Sequence, residues 1–547
     1  MSEFSMNDIN IMESSSIKPN NDDFIMSWKR ANEKIASFYV VVIIAIFPLF
    51  FWNYYFDILV AKYRFYICSV ISMFLVVLVV AAVYIIKDYK YSEGQHIRNI
   101  LAGCSIRMIN TVDWMMMLFL ISAVISTFQS EYFYESFWGN EGRYCGLFLI
   151  ILYAVSFFII SKCLVLKRWH LDAFLAAGMI ACIIGILQYF NFDIIGFKRG
   201  IVEADFDAFA STFGNINTYT SYVALVSGIS TVLFCIEKTR NRQVWYLICV
   251  VVSIFALITG ISDNAYLALF ALMGLLPLYL FGQPGGISKY ILILSILLTE
   301  FQAIGWMTNK LSAHVIGING LFNVIVEYAG LGYIVALLWG IYIVLYLSDV
   351  VGREKKRARI SKCIARRGWL IFLIIVAGCL VFALYDVNFL GNSSRYGGLS
   401  GYLLMNDTWG TNRGYIWKLV ARIYDNFPLM NKLFGYGPDT FGIITVSSYL
   451  EEMIAQCGQK FDSAHNEYLQ YLITIGGVGL LTYVGFLITS LIRMIRLAKQ
   501  NNLIMAIVFA VICYGAQAFV NISVPIVNPI MMTLIMMGVS LPQNTEK

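Results

Sequence analysis

Long apolar segments run through nearly the whole chain and decide what kind of fold it can adopt. The 547 residues are 59% hydrophobic and 13% charged, whereas soluble proteins carry about a quarter charged residues. Runs of about 18 apolar residues are typical of membrane-spanning helices, because an unpaired backbone amide is costly in hydrocarbon. The sequence predicts an all-α polytopic membrane protein with about 12–14 spans. The candidate segments are 38–52, 65–86, 114–128, 145–160, 171–187, 218–236, 244–260, 265–281, 290–306, 320–348, 369–386, 467–490, 504–520 and 525–540.

Basic residues are distributed unevenly between the segments that join these spans. The segment 349–368 alone holds eight of the 39 Lys and Arg residues. Because Lys and Arg accumulate in cytoplasmic loops, we interpret the net charge of +6 as a topology signal and predict no nucleic-acid partner. Both termini are predicted to be cytoplasmic. Residues 1–36 are polar and lack the apolar core of a cleavable signal peptide.

This topology divides the chain into five regions. They are a cytoplasmic tail at 1–37, a transmembrane helix bundle at 38–386, an extracytoplasmic loop at 387–466, C-terminal transmembrane helices at 467–540 and a cytoplasmic tail at 541–547. A structureless loop of about 80 residues is uncommon in a folded protein. The loop is therefore predicted to form a cap of interfacial helices on the outer membrane face.

Two stretches of this loop carry helix signals. Ser448 and Glu451 have the spacing of a capping box, which predicts a short helix at 448–456. The segment NRGYIWKLVARIY (412–424) predicts a second helix, with Thr411 or Asn412 as its cap. Its apolar side chains recur at helical spacing: Ile416, Leu419, Val420, Ile423 and Tyr424.

His465 and Asn466 lie at the entrance to the span 467–490. Asp462 or Ser463 is predicted to cap that helix, which would put His465 in its first turn. The helix dipole there disfavours imidazolium, and a neutral imidazole is what a general base requires. The alternative is a polar anchor at the membrane interface.

Three arginines in the outward segments are candidate binding residues: Arg143, Arg199 and Arg413. Arg413 opens the predicted amphipathic helix, where the helix dipole favours acids over bases. A guanidinium group binds phosphate oxygens in a bidentate manner. For Arg413 and Arg143 the alternative is a side chain that reaches up to lipid headgroups, and Arg199, with Lys198, adds positive charge to its outward segment.

Polar residues in the outward segment 188–217 permit two further hypotheses. Asp205 and Asp207 could hold Mg²⁺ or Mn²⁺ against a diphosphate, although a solvated acidic loop is the commoner meaning of such a pattern. Asn215 and Asn217, just before a span, can cap the helix or donate hydrogen bonds to sugar hydroxyl groups.

Glu300 and Glu327 are acids within predicted spans. A charge at bilayer depth costs about 2.5–3.5 kcal/mol on insertion scales, so such residues commonly line a cavity. We predict that they line a polar cavity that opens outward. The alternative is a pair of acids that are protonated or hydrogen-bonded between helices.

Several of these segments together resemble the bacterial O-antigen ligase family, which also includes O-antigen-type polymerases. The strongest pieces are NRGYIW with Arg413, LFGYGPDTF (433–441) and SAHNEYLQYLITIGGVGLL (463–481) with its His-Asn pair. SFWGNEGRYCGL (136–147) is similar to the family's earlier arginine-bearing segment, and FGNINTYTSYVAL (213–225) to its Asn-rich entry to the next span.

This resemblance implies a fold similar to glycosyltransferases of the C superfamily and an enzyme in the bacterial plasma (inner) membrane. The implied donor is a glycan on undecaprenyl diphosphate, and the implied acceptor is a lipid or another carrier-linked glycan. His465 would deprotonate the acceptor hydroxyl, and Arg413 would neutralise the leaving diphosphate. Arg143, Arg199, Asn215, Asn217 and Asn466 would bind substrate. The resemblance implies no metal and no cofactor, and the sequence shows no zinc-binding spacing and no Walker-type glycine loop.

The chain departs from the family pattern at one position. Many members have a serine-arginine-glycine element where this chain reads ISDNAYLALF (261–270), with Asp263 and Asn264 and no arginine. If that arginine holds diphosphate elsewhere in the family, Arg143 or Arg199 must replace it here.

Two other functions compete with glycan transfer. A polysaccharide or lipid-linked oligosaccharide flippase of similar size would need polar groups through the whole membrane depth. A metal-dependent transferase would use Asp205 and Asp207 and would be inactivated by a chelator. The candidate residues instead gather on one predicted side of the membrane, which favours a transferase. Ligase and polymerase remain open alternatives.

Overall fold

The computed structural model describes residues 21–103, 109–351 and 357–540. Within these ranges the chain forms 22 α-helices, a few short 3-10 and π segments, and one two-stranded antiparallel sheet of Phe209–Ala210 and Gly214–Asn215. The predicted all-α fold is confirmed. The predicted tail 541–547 and residues 1–20 of the other predicted tail lie outside the described residues.

Helices α1–α11 make up the first part of the chain. Their bounds are Asn21–Val41, Ile58–Ser92, Gln95–Gly103, Thr111–Gln129, Phe133–Trp138, Leu147–Cys163, Arg168–Tyr189, Ile216–Ile236, Arg240–Thr259, Asp263–Leu280 and Gly286–Lys310. Helix α1 therefore begins well before residue 38, where the first span was predicted to start.

Helices α12–α22 make up the second part. Their bounds are Gly320–Val326, Leu331–Val351, Arg357–Asn388, Ser400–Leu403, Trp409–Asn426, Leu429–Phe434, Phe441–Cys457, Glu467–Thr474, Gly476–Leu497, Ile504–Gln517 and Asn528–Val539.

Eleven helices in the described part of the chain are long and apolar enough to cross a membrane. They are α1, α2, α4, α7, α8, α9, α10, α11, α13, α14 and α20. The remaining three predicted spans coincide with the shorter apolar helices α6, α21 and α22. Each of the fourteen predicted segments thus contains an apolar helix, and the chain is a multi-pass membrane protein.

Helix α8 forms the centre of the bundle. Its residues from Thr218 to Cys235 are all buried, and it packs against α7, α9, α10 and α21. By contrast, α13 and α14 leave most of their apolar side chains exposed. Exposed apolar helices in a membrane protein face lipid, because the hydrocarbon solvates their side chains while the helix satisfies its own backbone.

Two predicted spans are interrupted. The span 320–348 is divided into α12 and α13, and Glu327 lies exposed at the end of α12, where it accepts a hydrogen bond from Asn323 Nδ2. The prediction that Glu327 lies inside a span is wrong. Glu300 is buried in α11, and neither of its carboxylate oxygens has a partner among the described residues.

The second interruption separates α19 from α20 at Gly476. Its φ of +79° favours glycine, and a Cβ atom there would lie 2.4 Å from the backbone of Leu433. The break frees two carbonyl groups of α19, which accept hydrogen bonds from Tyr436 N (3.0 Å) and Gly437 N (2.9 Å). The loop before α18 is therefore anchored to an interrupted helix.

Helices α15–α18 lie in the segment predicted to form a cap, called the cap below, and many of their apolar residues share a small core separate from that of the bundle. The apolar face of α16 is buried in this core, as the sequence predicted, through Ile416, Leu419, Val420 and Ile423. The predicted caps are wrong. Gly410, Thr411 and Asn412 all have positive φ, and no side chain caps α16. Because α18 begins at Phe441, Ser448 and Glu451 lie within a helix and form no capping box.

Candidate active site

Arg413 lies just after the strained turn that begins α16. Its side chain is only 9% exposed. Its Nη1 atom donates hydrogen bonds to Asp263 Oδ2 and to the carbonyl of Gly410, both at 3.1 Å, while Nε is buried and has no partner among the described residues. Asp263 occupies the position where the resemblance implied an arginine. In this chain an acid of α10 therefore holds the arginine of α16.

Arg143 lies in the loop between α5 and α6 and forms an ion pair with Asp462. Its side chain is 15% exposed, and its Nε atom is buried without a partner in the described part of the chain. Burial raises the pKa of Asp462, but the charge and the hydrogen bond of Arg143 outweigh burial and hold that pKa below its usual value. Arg143 is thereby held by a residue that lies three positions before His465 in the chain.

His465 precedes α19 and does not lie in its first turn. Asn466 is the helix cap, and its Oδ1 atom accepts hydrogen bonds from Tyr468 N and Leu469 N, both at 3.0 Å. The prediction that Asp462 or Ser463 caps this helix is wrong. The backbone turns at His465 with φ of +47°, a region that few non-glycine residues adopt and that is common at functional sites.

The segment before this turn is fixed from two sides. Trp417 Nε1 donates to the carbonyl of Ala464 at 3.0 Å, and Ala464 N donates to Gln470 Oε1 at 2.9 Å. The cap and α19 thus hold the backbone that carries His465. The imidazole itself makes no hydrogen bond to any described residue, and the edge of the Phe461 ring faces it at 6.0 Å. Its nitrogens are available to a ligand.

The surroundings of His465 favour the neutral imidazole. Burial, followed by the charges of Arg413 and Arg143, lowers the pKa of His465 to about 4, while Asp462 opposes that change. The sequence predicted a neutral ring from the helix dipole alone, but the structure assigns the larger effects to burial and the two arginines. At neutral pH the ring can accept a proton.

Asp439 is a residue of this region that the sequence did not single out. Its buried carboxylate accepts hydrogen bonds through Oδ2 from Asn140 N (2.7 Å) and Cys145 N (2.9 Å), so it holds both ends of the loop that carries Arg143. Burial raises the pKa of Asp439 to about 7, although both amides and the charge of Arg143 oppose that rise. The contact joins residues about 300 positions apart, which local sequence patterns cannot show.

Replacing Asp439 by alanine is expected to destabilise this loop. The change leaves two backbone N–H groups without their acceptor, at a cost of about 1–3 kcal/mol for each group that stays buried. Melting temperatures of the detergent-solubilised protein measure the effect. Asp439→Asn keeps an acceptor and should lose less, and Asp425→Ala, at an exposed acid of the cap, should change little. Equal melting temperatures for Asp439→Ala and the unmodified protein would contradict this role.

The asparagines at the beginning of α8 belong to a polar network at the same end of the bundle. Asn215 caps α8 by accepting from Asn217 N at 2.8 Å. Asn217 Oδ1 accepts from Ser262 Oγ at 2.5 Å, and the carbonyl of Asn217 accepts from Asn264 Nδ2 at 2.8 Å. This network fixes the backbone on both sides of Asp263, the partner of Arg413. The Nδ2 atoms of Asn215, Asn217 and Asn466 have no partner among the described residues.

Arg199 lies apart from this cluster. It borders a cavity of about 420 Å³ together with Gln188, Asp193, Lys198 and Phe206. Neither His465 nor Arg413 lines this cavity, and no hydrogen bond or ion pair among the described residues joins its lining to either of them. A role of Arg199 in substrate binding stays a prediction.

The metal hypothesis receives no support from the described residues. Asp205 and Asp207 are exposed in a 3-10 segment, and the part of the chain that the structure describes contains no group of three or more His, Cys, Asp or Glu residues arranged to hold an ion.

Fold and site together define a polytopic membrane protein that gathers one histidine and two arginines at one end of its helix bundle. Residues 317–484 match the family model described as O-antigen ligase, which confirms the family predicted from the sequence, that of O-antigen ligases and polymerases. The match supports glycan transfer of the ligase or polymerase type as the general activity, with a lipid-linked donor. It includes Arg413 and His465, whereas Arg143 and Asp263 lie outside it. No curated protein matches the chain.

Proposed function

We propose that this protein transfers a glycan from undecaprenyl diphosphate to a hydroxyl group of a lipid, protein or glycan acceptor at the outer face of a bacterial plasma membrane. One observation carries the proposal: the His465 imidazole, which makes no hydrogen bond to a described residue, lies close enough to Arg413 and Arg143 for both charges to lower its pKa. A base beside two fixed cations suits a reaction that removes a proton from the acceptor and releases a diphosphate. The distribution of basic residues predicts that both termini are cytoplasmic, which supports an outward-facing position for the cluster.

The proposed reaction is a single displacement. His465 accepts the proton of the acceptor hydroxyl, and the oxygen attacks the anomeric carbon of the donor sugar. The bond from that carbon to the diphosphate oxygen breaks, and its electron pair leaves with undecaprenyl diphosphate. Arg413 and Arg143 stabilise the charge that develops on the leaving group, and the proton then passes from His465 to solvent.

The electrostatics couple base strength to donor binding. The two arginines contribute to a His465 pKa of about 4, at which the ring is a weak base. A bound diphosphate brings negative charge to the arginines, and negative charge near an imidazole raises its pKa. His465 therefore becomes a stronger base when the donor is in place.

The remaining site residues are proposed to hold the sugars. The free Nδ2 groups of Asn215, Asn217 and Asn466 can donate hydrogen bonds to hydroxyl or carbonyl oxygens of a glycan. Arg199, on the rim of the separate cavity, is proposed to contact a more distant part of the donor or acceptor.

The pH dependence of the reaction tests the role of Arg143. For the free enzyme, kcat/KM should fall only as the pH approaches about 4, where His465 becomes protonated. Arg143 is a positive charge that disfavours imidazolium, so Arg143→Gln should raise the pKa of His465 and move the acid limb to higher pH. Initial rates across a pH series measure this shift. An acid limb that stays in place would show that Arg143 does not act on the base.

Reconstitution tests the function and its independence of metal. The purified protein in proteoliposomes should release undecaprenyl diphosphate from a carrier-linked glycan as the glycan joins its acceptor. We expect EDTA to leave this rate unchanged, because arginines provide the charge that a metal supplies in other transferases. Loss of activity in EDTA with recovery on adding Mg²⁺ would favour the Asp205 and Asp207 hypothesis. Movement of intact donor across the membrane without release would favour a flippase.

A further inference from the structure

Each arginine of the site is paired with an acid that is more exposed than the arginine itself. In the first pair the Arg413 side chain is 9% exposed and Asp263 is 44% exposed. In the second pair the values are 15% for Arg143 and 55% for Asp462. Both acids are therefore more accessible than the arginines with which they pair, so an anion that approaches either arginine meets its acid first.

Neither acid satisfies the whole of its arginine. A guanidinium group has five N–H donors and binds an oxyanion best through two parallel hydrogen bonds. Here each acid accepts from one Nη atom through one carboxylate oxygen, while both Nε atoms are buried and without partners among the described residues. A diphosphate offers more oxygens and more charge than a carboxylate, so it can replace each acid and engage the donors that remain.

The backbones of the two acids have other means of support. Asp263 opens α10, and the positive end of that helix favours its charge. Asn264 beside it is fixed by Asn217, independently of Arg413. The neighbours of Asp462 are likewise held, since the carbonyl of Phe461 accepts from Thr445 Oγ1 at 2.7 Å. The side chains can therefore leave the arginines without unfolding the segments that carry them.

We propose that Asp263 and Asp462 are exchangeable counter-ions, which neutralise Arg413 and Arg143 in the empty site and are displaced when the diphosphate of the donor binds. This inference rests on the proposed function. The two acids lower the affinity for diphosphate, because part of the binding energy is spent on displacing them. They also return to the arginines as the product diphosphate leaves, which favours release and hence turnover.

The two acids differ in their effect on the base. Asp462 raises the pKa of His465, and Asp263 is not among the main causes that set this pKa. Asp263→Asn should therefore lower KM for the donor and slow product release. Asp462→Asn should lower KM in the same way and also weaken the base, which reduces the rate of the chemical step.

Direct binding measurements on the full-length protein test the proposal. Inorganic pyrophosphate and undecaprenyl diphosphate serve as probes, and their Kd values are measured for the unmodified protein, Asp263→Asn, Asp462→Asn and Arg413→Gln at low and high salt. Each aspartate variant should bind roughly two- to fivefold more tightly, the range expected for loss of one exposed ion pair. High salt should reduce the difference. Asp425→Asn, which removes an exposed acid of the cap that pairs with neither arginine, should bind like the unmodified protein.

The possible outcomes distinguish failure of the counter-ion exchange from failure of the proposed function. If Arg413→Gln weakens binding but the aspartate variants bind equally or less tightly, the acids only position the arginines and the exchange is disproved. If Arg413→Gln binds both probes as the unmodified protein does, the diphosphate lies elsewhere and the proposed function fails together with the exchange. Melting temperatures within a few degrees of each other establish that all variants are folded.

Discussion

Replacing His465 by alanine is expected to abolish glycan transfer. A positioned general base contributes about 10²–10⁴-fold to a reaction rate, and the other histidines in the described part of the chain lie outside the site. In cells that lack the native copy, surface glycan should be lost and the carrier-linked donor should accumulate on the outer face. Single repeat units would identify a polymerase, and long carrier-linked chains would identify a ligase.

The chain offers a matched control for this experiment. His314 is exposed in the turn after α11, so His314→Ala removes an imidazole without touching the site and should retain full activity. Membrane levels of both variants are compared first. If His465→Ala makes normal surface glycan, His465 is an interface anchor and the proposed active site is wrong. Donor that accumulates on the cytoplasmic face would instead favour transport.

Replacing Arg413 by alanine is expected to lower kcat by about 10²–10³-fold, the usual cost of removing one group that stabilises charge in the transition state. Arg413→Lys keeps the charge but loses the planar guanidinium group that matches phosphate oxygens. The activity of this variant should therefore lie between those of Arg413→Ala and the unmodified enzyme. Steady-state rates with a carrier-linked donor measure both effects.

Arg422 provides the control on the same helix. Its guanidinium group lies on the exposed side of α16 and pairs with Glu452 at 2.7 Å, so Arg422→Ala should cost little activity. Rates for Arg413→Lys equal to those of the native enzyme would show that charge alone suffices. Rates for Arg413→Ala close to native values would remove Arg413 from the mechanism.

The parts of the fold that follow from local sequence were predictable. A run of apolar residues such as 218–236 gives a span wherever it lies, because hydrocarbon imposes helix formation on any segment that enters it. The buried face of α16 followed from the spacing of Ile416, Leu419, Val420 and Ile423 in the same way. The predicted helix caps were wrong: α18 begins at Phe441, well before Ser448, and α19 is capped by Asn466. Asp462, Ser463 and Asn466 are all good capping residues, so local sequence does not decide which of them begins the helix.

The sequence indicated residues of the candidate site, but not the contacts between them. The motif that carries His465 and Arg413 pointed to both before the structure was known. Nothing near Arg143 in the sequence indicates Asp462, which lies 319 residues away, and the ion pair between Asp263 and Arg413 spans 150 residues. The position of Asp263 was noted as a departure from the family pattern, but its partner became evident only from the fold.

The two ion pairs cross between the early and late parts of the chain. Arg143 and Asp263 come from the region before residue 317, and Asp462 and Arg413 come from the O-antigen ligase domain. During synthesis, neither ion pair can therefore form until the later part of the chain, which carries Arg413 and Asp462, has been translated and inserted. In evolution, exchange of either part with that of a relative would separate both pairs at once, so the two parts must change together.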